Sequence, residues 1–152
     1  MRGLILVLLE DDTANFQSRL EAALAPFEHT EEAVAEAARI DAPLPPGWDY
    51  WTYPPKDLAF NDRNTVRAFY RAGVTGDFLP HTAMVYALPE DYAASGLITP
   101  DGTWHDITSF GWRVIEREAL HREQALQEWK KHFHDTLWDH AGYLAVQIIA
   151  HS

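Results

Sequence analysis

Cysteine is absent from this chain of 152 residues. Its absence excludes disulfides, thiolate metal ligands and a cysteine nucleophile, and it is typical of proteins in a reducing compartment. Long hydrophobic runs are absent as well, because the run LILVLL at residues 4–9 is followed at once by acidic residues. Such a run is too short to span a membrane or to act as a signal peptide. We therefore expect a cytoplasmic protein with no membrane partner.

Basic residues are scarce. The chain has 12 lysines and arginines against 23 acidic residues, which gives a formal net charge of −11. That charge repels nucleic acid at long range, so direct binding to double-stranded DNA is not expected. The patterns GxGxxG, GxxxxGK[ST], HExxH and GxSxG are also missing. The sequence predicts no metal site and no cofactor.

What is present is a regular alternation of apolar segments, which predicts one α+β domain over residues 1–152. A buried strand at 3–9 leads into a helix that begins near Phe16 and closes near Pro26. A second helix is predicted over 31–40, with Thr30 as its cap. Asn61 or Asp62 caps a third helix, on which Val66, Phe69 and Tyr70 are expected to face inward.

A hairpin follows over 97–107, then a long helix over about 116–140 and a last strand over 143–150. Strands at both ends, with a long helix before the last one, favour a ferredoxin-like αβ sandwich. In this interpretation a helical and aromatic-loop segment is inserted at approximately 28–80.

Aromatic residues are concentrated in a proline-rich segment over 42–56, and more follow later in the chain. The members of this group are Trp48, Tyr50, Trp51, Tyr53, Trp104 and Trp112. Indole and phenol rings stack nucleobases and anchor protein interfaces, although core packing is an equally good explanation for them.

Three arginines on the third predicted helix form the one locally basic surface of an acidic chain. Arg63, Arg67 and Arg71 recur every four residues and so share one helical face. Guanidinium groups bind phosphates, carboxylates or an acidic partner through forked hydrogen bonds. The alternative is a solvated face that forms salt bridges to neighbouring carboxylates.

Two of the eight histidines, His105 and His151, stand at the ends of predicted strands. If the strands were adjacent, their imidazoles could transfer protons in phosphodiester chemistry or bind a phosphate; structural histidines are the alternative. His132 and His134 diverge by about 200° on a helix and cannot share a metal. A face with His132, Asp135 and Asp139 could hold a metal or a base, but it is typical of a solvated helix face.

Several segments resemble a family of uncharacterised actinobacteriophage accessory proteins. They are LITPDGTWH at 97–105 followed by GW at 111–112, LAPF at 24–27, WDYW at 48–51 and IIAH at 148–151. The resemblance implies a phage protein that works in the host cell cytosol. Small accessory proteins of phages commonly act on the host by binding one of its components, so a role other than catalysis is expected.

The leading hypothesis is therefore an accessory protein that binds and neutralises or redirects a host factor, with anti-defence among the roles this implies. The factor is a host protein or a small nucleotide-like signal, and the oligomeric state is open. The expected contact residues are Trp48, Trp51, Trp104, Arg63, Arg67 and Arg71. One alternative is a small hydrolase or phosphodiesterase with His105 and His151 as catalytic residues. Another is a virion or assembly component that self-associates through an exposed apolar patch.

Overall fold

The computed structural model describes residues 2–11, 14–60, 62–107 and 119–152. Within these ranges six strands form one mixed sheet in the order β2–β6–β1–β4–β5, and β3 also pairs with β6. The strands are β1 Arg2–Leu9, β2 Tyr50–Thr52, β3 Thr82–Met84, β4 Gly96–Ile98, β5 Trp104–Asp106 and β6 Leu144–His151. Long apolar runs form the centre of the sheet, because β1 and β6 are covered on both faces.

The pairing of β1 with β6 is antiparallel and extends over all eight residues of each strand. On its other side β1 pairs in parallel with β4, and β4 pairs antiparallel with β5. The short strands β2 and β3 share the outer edge of β6. The β5 edge thus lies three strand spacings from β6.

Four helices are described: α1 Phe16–Leu24, α2 Glu31–Arg39, α3 Arg63–Arg71 and α4 Ala119–Asp139. The predicted caps of α2 and α3 are confirmed. Thr30 Oγ1 accepts a hydrogen bond from the amide of Ala33 at 3.1 Å, and the Asp62 carboxylate accepts one from the amide of Thr65 at 3.3 Å. These bonds satisfy amides that have no partner within the helix. Among the described helices none is long and apolar enough to cross a membrane.

Both faces of the sheet are buried, each under different helices. Alternate residues of β1 point to opposite faces. Ile5 and Val7 pack with α1, α3 and the aromatic loop, whereas Leu6 and Leu8 pack with α4. On α4, the apolar residues Trp129, Phe133 and Leu137 recur every four residues, and all three are buried.

The α+β class is confirmed, but the strand order differs from that of a ferredoxin-like sandwich. In that fold the βαβ unit is split by an intervening strand. Here β1 and β4 are hydrogen-bonded to each other directly. The segment at 28–80, expected to be an insertion, also contributes to the sheet, because its strand β2 pairs with β6. On α3, Tyr70 is 58% exposed, so the prediction that it faces inward is wrong.

Candidate functional site

A cavity of about 410 Å³ opens at one end of the sheet, and we refer to it as the tryptophan cavity. Its walls come from the start of β1, from β5, from the loop before β2 and from the end of the chain. The described lining residues are Arg2, Gly3, Ile5, His29, Leu44, Pro45, Pro46, Gly47, Trp48, Trp104, Asp106, Ala150 and Ser152. Its volume lies in the range of small-molecule sites.

The loop that forms one wall is fixed by backbone hydrogen bonds. The Trp48 amide donates to the Phe27 carbonyl at 2.9 Å, and the His29 amide donates to the Trp48 carbonyl at 2.7 Å. Gly47 permits this close approach, because a Cβ there would stand 2.1 Å from the Phe27 carbonyl oxygen. The Asp49 amide donates to the His151 carbonyl at 2.9 Å, which joins the loop to β6. The wall is therefore largely formed before any ligand arrives.

Trp104 forms the wall next to this loop and remains half-buried. Its indole Nε1 donates to Asp106 Oδ2 at 3.0 Å, and its ring centroid lies 5.5 Å from that of Phe27 and 5.9 Å from that of Trp48. Gly96 makes room for the ring, since a Cβ there would lie 3.0 Å from Trp104 Cη2. These contacts hold the indole in one orientation at the cavity wall.

Polar groups occupy the rim of the tryptophan cavity. Arg2 is exposed, and no carboxylate in the described part of the chain pairs with it. The Nε2–H of His29 donates to the Pro45 carbonyl at 2.8 Å, so this ring braces the loop. Asp106 adds an acceptor beside Trp104. The cavity thus combines an aromatic wall with a cation and a carboxylate. No motif in the sequence links Arg2, His29 and Asp106, so their place in one cavity was not predictable.

Of the predicted aromatic contact residues, Trp48 is not an exposed surface residue. It is 1% exposed and belongs to the core beside α1. Its Nε1 is buried with no hydrogen-bond partner among the described residues. Trp51 is half-buried on β2, packs edge to face on Tyr53 at 5.3 Å and does not line the cavity. Trp112 lies outside the described residues.

The arginines of α3 are exposed, as predicted, but they lie at another site. Arg63 and Arg67 line a separate groove of about 330 Å³ together with Phe60, Val66 and Tyr70. In the described ranges, no ion pair involves Arg63, Arg67 or Arg71. The expectation of one contact surface built from the aromatic loop and these arginines is therefore corrected: the tryptophan cavity and this groove share no lining residue.

His105 and His151 do not meet, which corrects the idea of a shared acid–base site. His105 is on β5 and His151 is at the end of β6, with β4 and β1 between them. Three strand spacings alone separate them by about 14 Å. His151 instead stacks on Tyr50 at 4.5 Å and contacts Thr52 Oγ1 through Nε2 at 2.8 Å.

His105 contacts a different histidine, His132, although no pattern in the sequence pairs these two residues. Its Nδ1 lies 3.0 Å from His132 Nε2 of α4. Burial, with a smaller contribution from the neighbouring His132, lowers the pKa of His105. His132 and His134 point apart as predicted, since the Nε2–H of His134 donates to the Tyr92 carbonyl at 2.8 Å.

Comparison with protein-family models, with curated proteins and with solved structures finds no match to this chain. The actinobacteriophage resemblance therefore stays a prediction. Any assignment of function rests on the geometry of the tryptophan cavity and the surfaces around it.

Proposed function

We propose that this chain is a binding protein that takes a small nucleotide-like ligand into the tryptophan cavity. The observation that carries the proposal is the half-buried Trp104 ring, which is held in place on the wall of a preformed cavity of about 410 Å³. In the phage interpretation, the protein neutralises or redirects a host signal by holding it.

The cavity has groups suited to the base and to the phosphate of such a ligand. An indole face stacks a nucleobase with a gain of about 1 to 3 kcal/mol. Asp106 is placed to accept a hydrogen bond from a base N–H group, next to the ring that would stack. Arg2 offers a planar fork of donors to a phosphate at the rim.

Binding accounts for these residues better than catalysis does. His29 is the one imidazole among the described lining residues, and its Nε2–H is engaged by the Pro45 carbonyl. The hydrolase alternative required His105 and His151 to act together as acid and base. Their separation by two strands removes the geometric basis for that pair.

Self-association is a second candidate, and a specific observation favours it. None of the nine residues of α2 is buried, and the large apolar residues Val34 and Ile40 are 44% and 56% exposed. Nearby Leu44 is 40% exposed as well. Such a helix is a candidate contact in an assembly or with a protein partner. Sedimentation velocity tests it: concentration-dependent growth in mass that Val34→Glu abolishes supports the assembly role.

Native mass spectrometry tests the binding proposal. The protein is expressed in an actinobacterial host, purified gently, and any bound compound is released by heat and identified. The proposal expects a stoichiometric nucleotide-like compound that Trp104→Ala protein lacks and Trp138→Ala protein retains. Trp138 is a matched control because it is 83% exposed and is not among the residues that line the cavity. A bare wild-type protein, or equal occupancy in Trp104→Ala protein, argues against the proposal.

A further inference from the structure

The histidine pair on the other face of β5 is a second candidate site, independent of the tryptophan cavity. Trp104 packs against the core beside α1, whereas the next residue, His105, points to the side of α4. There the Nδ1 of His105 and the Nε2 of His132 face each other at 3.0 Å. The two imidazoles come from different elements, so the fold brings them together.

The hydrogen bonds around His105 favour a lone pair on the nitrogen that faces His132. Thr99 Oγ1 donates its one hydrogen to Asp101 Oδ1 at 2.5 Å or to the Thr103 carbonyl at 3.3 Å. Its remaining capacity is to accept, and His105 Nε2 lies 3.5 Å away. The imidazole therefore carries its hydrogen on Nε2 and a lone pair on Nδ1. Metal-binding histidines are oriented by this kind of second hydrogen bond.

Carboxylates lie on both sides of His132 along α4. Glu128 precedes it by four residues and Asp135 follows it by three, so all three share one helical face. They line the same depression of about 290 Å³ together with Lys131. Asp135 is 69% exposed and only loosely paired with Lys131 at 3.7 Å, so its side chain is free to turn toward the imidazoles.

We propose that His105 and His132 anchor a site for a divalent transition-metal ion such as Zn²⁺, with a carboxylate of Glu128 or Asp135 as the third ligand. Two imidazole nitrogens about 2.1 Å from one ion lie roughly 3.0 to 3.4 Å apart for cis or tetrahedral angles. The observed separation of 3.0 Å needs little adjustment. In the metal-free protein the Nε2–H of His132 donates to the lone pair of His105 Nδ1, and this hydrogen would move to His132 Nδ1 when the ion binds. Among the described residues no three ligating side chains already converge, so binding requires one exposed carboxylate to change rotamer.

Such an ion would connect the edge strand β5 to α4. Imidazole nitrogen together with carboxylate oxygen is a ligand set that suits zinc, nickel, cobalt and copper. Water would fill the remaining positions, because the depression beside His132 is open to solvent. The consequence to be measured is tight, stoichiometric binding accompanied by a rise in Tm.

The test uses untagged, metal-free protein titrated with ZnCl₂ by calorimetry and with CoCl₂ by visible absorption. The proposal expects one ion per chain and a Co²⁺ spectrum typical of nitrogen and oxygen ligands. His105→Ala and His132→Ala each weaken affinity by at least about tenfold, and Thr99→Val weakens it by about tenfold through loss of the orienting hydroxyl. His151→Ala, which removes a histidine elsewhere on the sheet, leaves binding unchanged.

Copper provides a second readout, in which both histidines are left unchanged. The ring centroid of Trp129 is 6.1 Å from that of His132, so Cu²⁺ bound at this pair quenches the fluorescence of Trp129. Quenching that Trp129→Phe removes supports the site. Absence of Zn²⁺ binding by wild-type protein, or equal affinity in His105→Ala, His132→Ala and His151→Ala proteins, overturns it.

Discussion

Truncation of Trp104 to alanine is the most informative perturbation of the tryptophan cavity. In the proposed binding mode the indole stacks on the base, so its loss should remove a stacking contribution of about 1 to 3 kcal/mol. Since 1.4 kcal/mol corresponds to about tenfold in Kd, binding should weaken by roughly 5- to 150-fold. Isothermal titration calorimetry with adenosine and guanosine 5′-monophosphates as probes measures this loss.

The same substitution also affects packing, so control variants are needed to separate a loss of binding from a loss of stability. Trp104 contacts Phe27 and Trp48 and is hydrogen-bonded to Asp106, and alanine therefore leaves a void in the cavity wall. Trp104→Phe retains an aromatic face and should weaken binding much less than alanine does. Trp138→Ala, at an 83% exposed position, should leave Kd unchanged. Equal affinity in wild-type and Trp104→Ala proteins, with both folded by circular dichroism, would refute the stacking argument.

Two further predictions concern the loop that forms one wall of the cavity and the pH dependence of the protein's stability. Gly47→Ala places a Cβ 2.1 Å from the Phe27 carbonyl oxygen and should lower the free energy of unfolding by about 1 to 3 kcal/mol in urea titrations. A Cβ at Gly142 would meet no atom within 4 Å, so Gly142→Ala should not lower the free energy of unfolding. A similar decrease in the Gly47→Ala and Gly142→Ala proteins would contradict the explanation by close approach. Burial lowers the pKa of His81 in the folded protein. As the pH falls, the unfolded chain therefore takes up a proton on this residue at a higher pH than the folded protein does. Stability that is present above about pH 6.5 should be lost as the pH falls below that value, and less so in His81→Gln protein. Identical pH dependence of wild-type and His81→Gln proteins in urea would contradict this.

Local features of this fold were predictable from the sequence because they depend on neighbouring residues. The apolar run of β1 predicts a strand, and the hydroxyl of Thr30 and the carboxylate of Asp62 predict the caps of their helices. The buried stripe of α4 follows from its helical spacing. Each of these signals lies within a short stretch of consecutive residues.

Features that depend on tertiary pairing were not predictable in this way. The parallel contact of β1 with β4 joins segments about ninety residues apart, and no spacing in the sequence specifies it. The same is true of His105 and His132, which meet because the fold brings α4 and β5 together at this point. Among the tryptophans, composition could not show that Trp48 is buried and that Trp104 forms a cavity wall, since aromatic clusters have no period that separates core from surface.

The most direct test of the proposed function is to map where a nucleotide probe binds to the protein. Wild-type protein is irradiated with 8-azidoadenosine 5′-monophosphate, and the modified peptides are mapped by mass spectrometry with excess adenosine 5′-monophosphate as competitor. The account predicts adducts suppressed by competitor in the lining segments at 44–48 or 104–106. Adducts confined to the arginine groove of α3, or adducts that the competitor does not suppress, would contradict it.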